Sequence, residues 1–285
     1  MIITIENTCD LTNEKIEELG VKVIKMKFTA ENESLDTNKI DIKEFYNLMR
    51  TGEVFRTSQV NEFEAKEFFE KYIEQDDILH LSFTSGLSAS LEAVKRVAEE
   101  INAKNEHKVY VVDTLCASAG QGLFCELIVK KLKETNCNIQ ELVNYAEELK
   151  YDLAHYFTVD ELKYLVRGGR VSKTSAFIGK LLTIKPILRI DRKGKIVAMS
   201  KVISRKKSLQ KLAELYNELA DKTNDLVYIS HADCEQDANL LKEQILNINP
   251  NAKIEIYQIG ATIGSHCGPG TLALFFVRRH DYFND

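Results

Sequence analysis

Apolar positions along this chain switch repeatedly between a strand-like and a helix-like period, and the switches mark its elements. Ile2–Ile5 reads as a short strand and Thr12–Leu19 as a helix stopped by Gly20. Val21–Phe28 reads as one extended stretch. Asp41 caps a helix over Ile42–Arg50 that Gly52 ends. Asn61 with Glu64 makes a capping-box start for a helix over Phe63–Ile73. Asp77–Phe83 and Lys108–Asp113 are strands, each followed by a helix, over Ser85–Ile101 and Ser118–Lys133. Asn138 and Glu141 frame one more helix up to about Lys150. Such βαβα alternation predicts a parallel sheet covered by helices.

The second half is less regular. Ala154–Val159 and Pro186–Ile190 read as strands, with a short helix and the Gly168-Gly169 break between them. Asp191–Gly194 is a turn that returns the chain as strand Lys195–Val202, so this pair is antiparallel. A helix over Lys206–Asp221, strand Leu226–His231 and helix Glu235–Leu246 follow. Strands Ile254–Ile259 and Leu272–Val277 then flank a Gly-rich loop. The fold class expected is α/β, with two α/β domains. The first, residues 1–153, has a mostly parallel sheet flanked by helices, and the second, 154–285, has a mixed sheet with helices.

Composition narrows the function. At roughly 150 residues per domain, 285 residues agree with two domains. A net charge of −5 argues against nucleic acid, whose phosphates need a clustered positive face. No apolar run reaches the length of a membrane span, and the first residues lack a signal-peptide pattern, so a cytoplasmic location is expected. Six cysteines fall outside any CxxC spacing and read as reduced structural thiols. His80, His107, His155, His231 and His280 show no metal-ligand spacing and read as structural or exposed.

Hydroxyls gather where strands end, the usual place for ligands in an open α/β sheet. Thr57-Ser58-Gln59 precedes one helix, Ser82–Ser88 follows a strand, and Asp113-Thr114 leads toward Ser118. These residues serve either as helix caps or as oxyanion donors. Neither GxxxxGK[ST] nor GxGxxG after a strand occurs, so no nucleotide is indicated. Gly120-Gln121-Gly122 lies within a helical pattern and reads as close packing. Adjacent His266 and Cys267 do not make a nucleophile–base pair, because such partners are usually distant in sequence. Arg167-Gly168-Gly169-Arg170 is either a helix C-cap or a sharp turn that brings a guanidinium to a ligand.

Taken together, these segments resemble the DegV family of bacterial lipid-binding proteins. Thr57-Ser58-Gln59 resembles its Thr-Ser-Gln-Pro-Ser loop, and Ser85-Gly86-Leu87-Ser88-Ala89-Ser90 its Ser-Gly-Leu-Ser-Gly-Thr. Val111-Val112-Asp113-Thr114 with Ser118, Gly120 and Gly122 resembles its Asp-Ser segment and following helix. Leu162–Arg170 and Ile178–Leu188 match closely, and Ile263–Gly270 resembles the terminal Gly-x-His-x-Gly-Pro-Gly loop. The resemblance implies two α/β domains with a long-chain fatty acid held between them. It also implies a carrier that is not itself an enzyme, needs no cofactor or metal, and presents the acyl carboxylate to a separate ATP-binding fatty-acid kinase subunit. The acyl phosphate so formed feeds phospholipid synthesis. Carboxylate binding is carried onto Thr57, Ser88 and His266, with Ser85 as a neighbour. Arg170 is placed near the headgroup, and Arg205 is a further headgroup or partner contact.

An acyl chain of about sixteen carbons buries about fourteen methylenes, a gross gain of roughly 11 kcal/mol that requires a dry tunnel. Phe177, Ile178, Leu181, Leu182 and Ile184 have the spacing to line one, or simply to pack a core. Val60 stands where the family has Pro, Ala89 where it has Gly, and Glu6-Asn7 where Asp-Ser is common. Ile203 stands where an Arg that helps meet the kinase is expected. Two other readings stay open: a small hydrolase with a Ser or Cys nucleophile, which lacks a GxSxG elbow, and a lipid-sensing module that uses no kinase. A transient membrane contact is compatible with each.

Overall fold

A computed structural model describes residues 1–171 and 184–279. β1 (Ile2–Glu6) is followed by α1 (Asn13–Leu19), which Thr12 caps by accepting the Lys15 N–H and Gly20 closes at φ 72°. The predicted extended stretch after it splits into β2 (Lys22–Ile24) and β3 (Lys27–Ala30), which join different sheets. Asn7 causes the break: its side chain accepts from the Met26 N–H at 2.8 Å and donates to the Met26 carbonyl at 3.2 Å, which takes that residue out of a strand ladder. Then come α2 (Ile42–Thr51), β4 (Phe55–Ser58), α3 (Glu62–Glu70), β5 (Ile78–Ser82), α4 (Ser90–Asn102) and β6 (Val109–Asp113). Helices α5 (Ala119–Thr135) and α6 (Ile139–Leu149) complete the first half. Both predicted capping boxes form, Asn61 with Glu64 and Asn138 with Glu141.

The second half runs β7 (Leu153–Thr158), α7 (Lys163–Arg167), β8 (Ile184–Ile190), β9 (Ile196–Ile203), α8 (Arg205–Leu219), β10 (Leu226–His231), α9 (Glu235–Ile248), β11 (Lys253–Gln258), α10 (Ala261–Cys267) and β12 (Leu272–Val277). Sheet order is β2-β1-β5-β6, parallel throughout, and β11-β10-β12-β7-β8-β9, mixed; β3 and β4 form a separate antiparallel ribbon. The fold is thus α/β with one parallel and one mixed sheet.

Two of the departures from the predicted elements bear on the site. Helix α4 begins at Ser90, five residues after Ser85, because the intervening backbone is claimed by side chains: the Gly86 N–H donates to Thr84 Oγ1 at 3.2 Å and the Ser90 N–H to Ser88 Oγ at 3.2 Å. The Gly-rich stretch read as a loop contains helix α10, which begins after Gly260.

Helix α5 joins the halves, packing against β7, β10 and β12. Its buried Leu123, Phe124 and Ile128 share one apolar cluster with Ile5 and Leu81 of the first sheet and Tyr228 and Phe275 of the second. Gly120 and Gly122 make this approach possible, as the close-packing reading expected. A Cβ at 120 would fall 2.6 Å from Phe275, and one at 122 would fall 2.6 Å from Leu11. All six cysteines are free thiols. Among the described residues no helix is long and apolar enough to cross a membrane.

Candidate functional site

Helix α10 packs against β3, β4, α2 and α7, and this places His266 over the ribbon. Phe28 and Phe55 of the ribbon pack against Phe45 of α2, edge-on and tilted, with ring centroids 5.7 and 4.5 Å away, which fixes β4. Thr57, paired with Phe28 across the ribbon, then sets its Oγ1 2.7 Å from Nε2 of His266. The other ring nitrogen, Nδ1, is buried without a hydrogen-bond partner, and a Cβ at Gly168 would fall 2.4 Å from it. Burial, then the charges of Arg170 and Arg167, push the His266 pKa down to about 4, so the ring is neutral. In either tautomer the Thr57–His266 pair keeps one unused donor. If Nε2–H donates to Thr57, the hydroxyl proton is free; if the hydroxyl donates to Nε2, Nδ1–H is free.

The second wall is the loop between β5 and α4. The Thr84 hydroxyl donates to the Gly194 carbonyl at 3.1 Å, and Gly86 lies so close that a Cβ there would fall 2.3 Å from Gly194 O. Ser88 Oγ is 2.9 Å from Ser90 Oγ, which accepts the Val60 N–H at 3.1 Å. A proline at 60 would have no such proton, so this departure from the family pattern ties two site loops together. Arg170 follows α7 through Gly168 and Gly169 (φ 73°). Its Nε donates to the Leu87 carbonyl at 3.1 Å and its Nη1 to the Gly168 carbonyl at 2.5 Å. Thus the Gly-Gly segment both ends the helix and aims the guanidinium. Desolvation lowers the Arg170 pKa, and among the described residues no carboxylate pairs with it.

These groups open into a cavity of about 200 Å³ lined by Thr57, Ser88, Arg170 and His266 at its polar part. Apolar walls come from Met26, Phe83, Leu87, Phe157, Leu165, Ile190, Ile196, Ile263 and Phe275. They arise on many separate elements, so no single stretch of sequence displays them. Of the residues expected to line a tunnel, Phe177, Ile178, Leu181 and Leu182 lie outside the described residues. Ile184 opens β8, half-buried and paired with Ile203, and does not line this cavity.

Ser85 is exposed and outside the cavity, its N–H donated to Asp113 Oδ1 at 3.2 Å. Arg205 also lies away from it, at the start of α8, with Nε donating to Asp237 at 2.8 Å and Asp160 3.8 Å away. His155, read as structural or exposed, lines the cavity instead. Cys267 is buried and its thiol is pushed up to about 12, mainly by desolvation, which leaves little thiolate. Ser88 Oγ pairs with Ser90 Oγ and, among the described residues, hydrogen-bonds no imidazole. Among the described residues no cluster fit to hold a metal occurs.

The family model described as DegV, an uncharacterised protein family, matches residues 1–279. The chain belongs to the DegV family. A DegV domain-containing protein from Clostridium perfringens is 38% identical over 282 residues, covering 97% of each chain. Among solved structures, DegV from Bacillus subtilis, described as a fatty acid binding protein, is 26% identical with a TM-score of 0.84, over 98% of this chain and 99% of that one. A DegV family protein from Thermus thermophilus, described by its fatty acid binding, is 25% identical with a TM-score of 0.84 and the same coverage. In this DegV protein Thr57 and His266 come from opposite ends of the chain, and the family match spans both.

Proposed function

We propose that this DegV protein holds a long-chain fatty acid in the cavity and presents its carboxylate for phosphorylation by a separate ATP-dependent kinase. The observation that carries the reading is Arg170, a partly buried cation with no carboxylate partner among the described residues, beside the Thr57–His266 pair and its one spare donor. A buried positive charge calls for an anion, and the apolar walls call for an alkyl chain attached to it. The fatty acid binding of the Bacillus subtilis and Thermus thermophilus relatives supports the same ligand class.

Ser58, Gln59 and Ser85 beside this end are exposed and Thr57 and Ser88 half-exposed, so a carboxylate here lies within reach of a partner's active site. In this reading residues 1–153 and 154–285 supply the two walls. Ile203, 72% exposed at the sheet edge, offers a partner an apolar contact where an arginine was expected.

Lipid extraction and mass spectrometry of the purified protein should find a co-purifying fatty acid, and delipidated protein should bind one added back. With a cognate kinase and ATP the bound acid should become acyl phosphate. Absence of both retained and added-back fatty acid would overturn the ligand; binding without phosphorylation would overturn the kinase step and favour a sensing role.

A further inference from the structure

Asp10 joins three elements beside the carboxylate site. It follows β1 and the short 3₁₀ turn Asn7–Cys9, in left-handed backbone (φ 53°). Its Oδ1 accepts the Gly260 N–H at 2.9 Å and its Oδ2 the Ser118 hydroxyl at 2.6 Å. Ser118 precedes α5 at φ 55° and ψ −152°, a strained conformation for a residue with a Cβ. Its Oγ makes no cap to its own helix and lies 3.0 Å from Ser230 Oγ of β10. The residues that Asp10 connects lead into the cavity: Ser118 lines it, as do Ile259 before Gly260 and Thr262 and Ile263 after it. Asp10 is half-buried, and desolvation of its carboxyl raises the pKa to about 7 against the pull of both hydrogen bonds. Among the described residues it has no ion-pair partner. A desolvated carboxyl with no cation beside it lowers stability, and keeping one next to a binding site points to a task there.

Gly260 is where α10 begins. Its carbonyl accepts the Gly264 N–H at 2.8 Å, and His266 stands in the last turn of the helix. Tyr46 holds this start from α2, donating to the Ile259 carbonyl at 2.8 Å. Asp10 holds the next residue and, through Ser118, ties it to α5 and β10. A helix of seven residues moves as a rigid body, so a shift at its start reaches His266. A displacement of about 1 Å stretches the 2.7 Å Thr57–His266 bond beyond hydrogen-bond length. Resting on the fatty-acid reading above, we propose that Asp10 is a positioning residue for the carboxylate site: by holding the Gly260 N–H it sets where α10 stands and so keeps His266 against Thr57.

The test compares the affinities of the delipidated full chain for stearic acid and stearyl alcohol. Asp10→Ala should weaken the acid about tenfold and the alcohol by less than about twofold. In a His266→Phe background it should weaken the acid no further, because Asp10 acts through that ring. Asp10→Asn keeps an acceptor for Gly260 and should recover most of the loss. The ¹⁵N resonance of His266 Nε2 should move in Asp10→Ala toward its position in Thr57→Val, and in Asp10→Asn it should stay near the wild-type position. Gly260→Ala reaches the same bond from its donor side, since the added Cβ would fall 3.1 Å from Asp10 Oδ1. It should cut the acid-to-alcohol ratio about threefold, and leave the ratio unchanged in His266→Phe. This keeps the test decisive even if Asp10→Ala does not fold. Equal loss of acid and alcohol in these variants, or an undiminished loss of acid in the His266→Phe background, would overturn this inference and leave the fatty-acid reading standing. Failure of the wild-type protein to bind stearic acid would overturn both.

Discussion

Thr57 Oγ1 lies 2.7 Å from His266 Nε2, a contact across 209 residues of chain that joins the β3–β4 ribbon to helix α10. Its consequence is chemical: when Nε2–H donates to Thr57, the threonine hydroxyl proton is free for a carboxylate. Hydrogen bonds to a charged group contribute about 1.5–3 kcal/mol each. Thr57→Val and His266→Phe should therefore weaken fatty-acid binding by roughly 10- to 100-fold. Binding of the corresponding fatty alcohol should change far less. Titration of both ligands against each variant checks this, and an equal loss for acid and alcohol would remove the pair from the headgroup site.

The neutral state of His266 gives a pH dependence of known sign. Its folded-state pKa, about 4, lies below the ordinary 6.5, so between those values the unfolded chain binds the extra proton. Stability contributed by this group is present above pH 6.5 and is lost as pH falls to 4, by about 3 kcal/mol. Asp10 acts oppositely. Its carboxyl accepts from Ser118 Oγ at 2.6 Å and from the Gly260 N–H at 2.9 Å, yet burial raises its pKa to about 7, so its contribution declines as pH rises from 3.8. In urea unfolding the stability of His266→Phe relative to wild type should rise as pH falls from 6.5 to 4. Asp10→Asn should gain on wild type as pH rises toward 7.

Gly86 packs the Ser88 loop closely against the β8–β9 turn. Its substitution by Ala places a carbon 2.3 Å from the Gly194 carbonyl oxygen, a backbone atom that has no flexible end to move. Gly86→Ala should cost about 1–3 kcal/mol of stability. It should also reduce fatty-acid affinity, because Ser88 and the Leu87 carbonyl that holds Arg170 sit on the displaced loop. Denaturant unfolding and ligand titration on one preparation measure the two effects together.

Lys15 closes the other side of the molecule. Its ammonium, almost wholly buried, lies 3.0 Å from Glu126 of α5 and 3.0 Å from Glu255 of β11. Tyr228 and Tyr257 hydroxyls donate to the same two carboxylates. Burial alone would lower the Lys15 pKa, but the two carboxylates hold it above the ordinary value, so the cation is the glue for both. Lys15→Met leaves two partly buried carboxylates facing each other and should destabilise the protein by roughly 3 kcal/mol. The double change Lys15→Met with Glu126→Gln should recover part of that loss in thermal unfolding.

Local rules made most of the fold legible. Asp41, Asn61 and Asn138 cap the helices they were read to start, and Gly20 and Gly52 end theirs at positive φ, because a cap depends only on residues within one turn. Strand Leu226–His231 was readable from its run of apolar residues alone. Two of the failures involve groups distant in sequence. Asn7, nineteen residues away in sequence, interrupts the stretch that separates into β2 and β3. The pull of Gly194 on the Thr84–Gly86 turn goes with the later start of α4.

The site divides in the same way. Sequence determined which residue types would be offered: hydroxyls at Thr57 and Ser88, an imidazole at 266, and a guanidinium after two glycines. Tertiary structure decided which of them meet. It brought Thr57, His266, Ser88 and Arg170 to one cavity, left Ser85 at the surface and Arg205 on Asp237, and placed His155 in the apolar wall. A binding site is a set of distances between side chains on different elements. Those distances are fixed by how α5, α10 and the ribbon pack, a property of the whole core that no local window of residues contains.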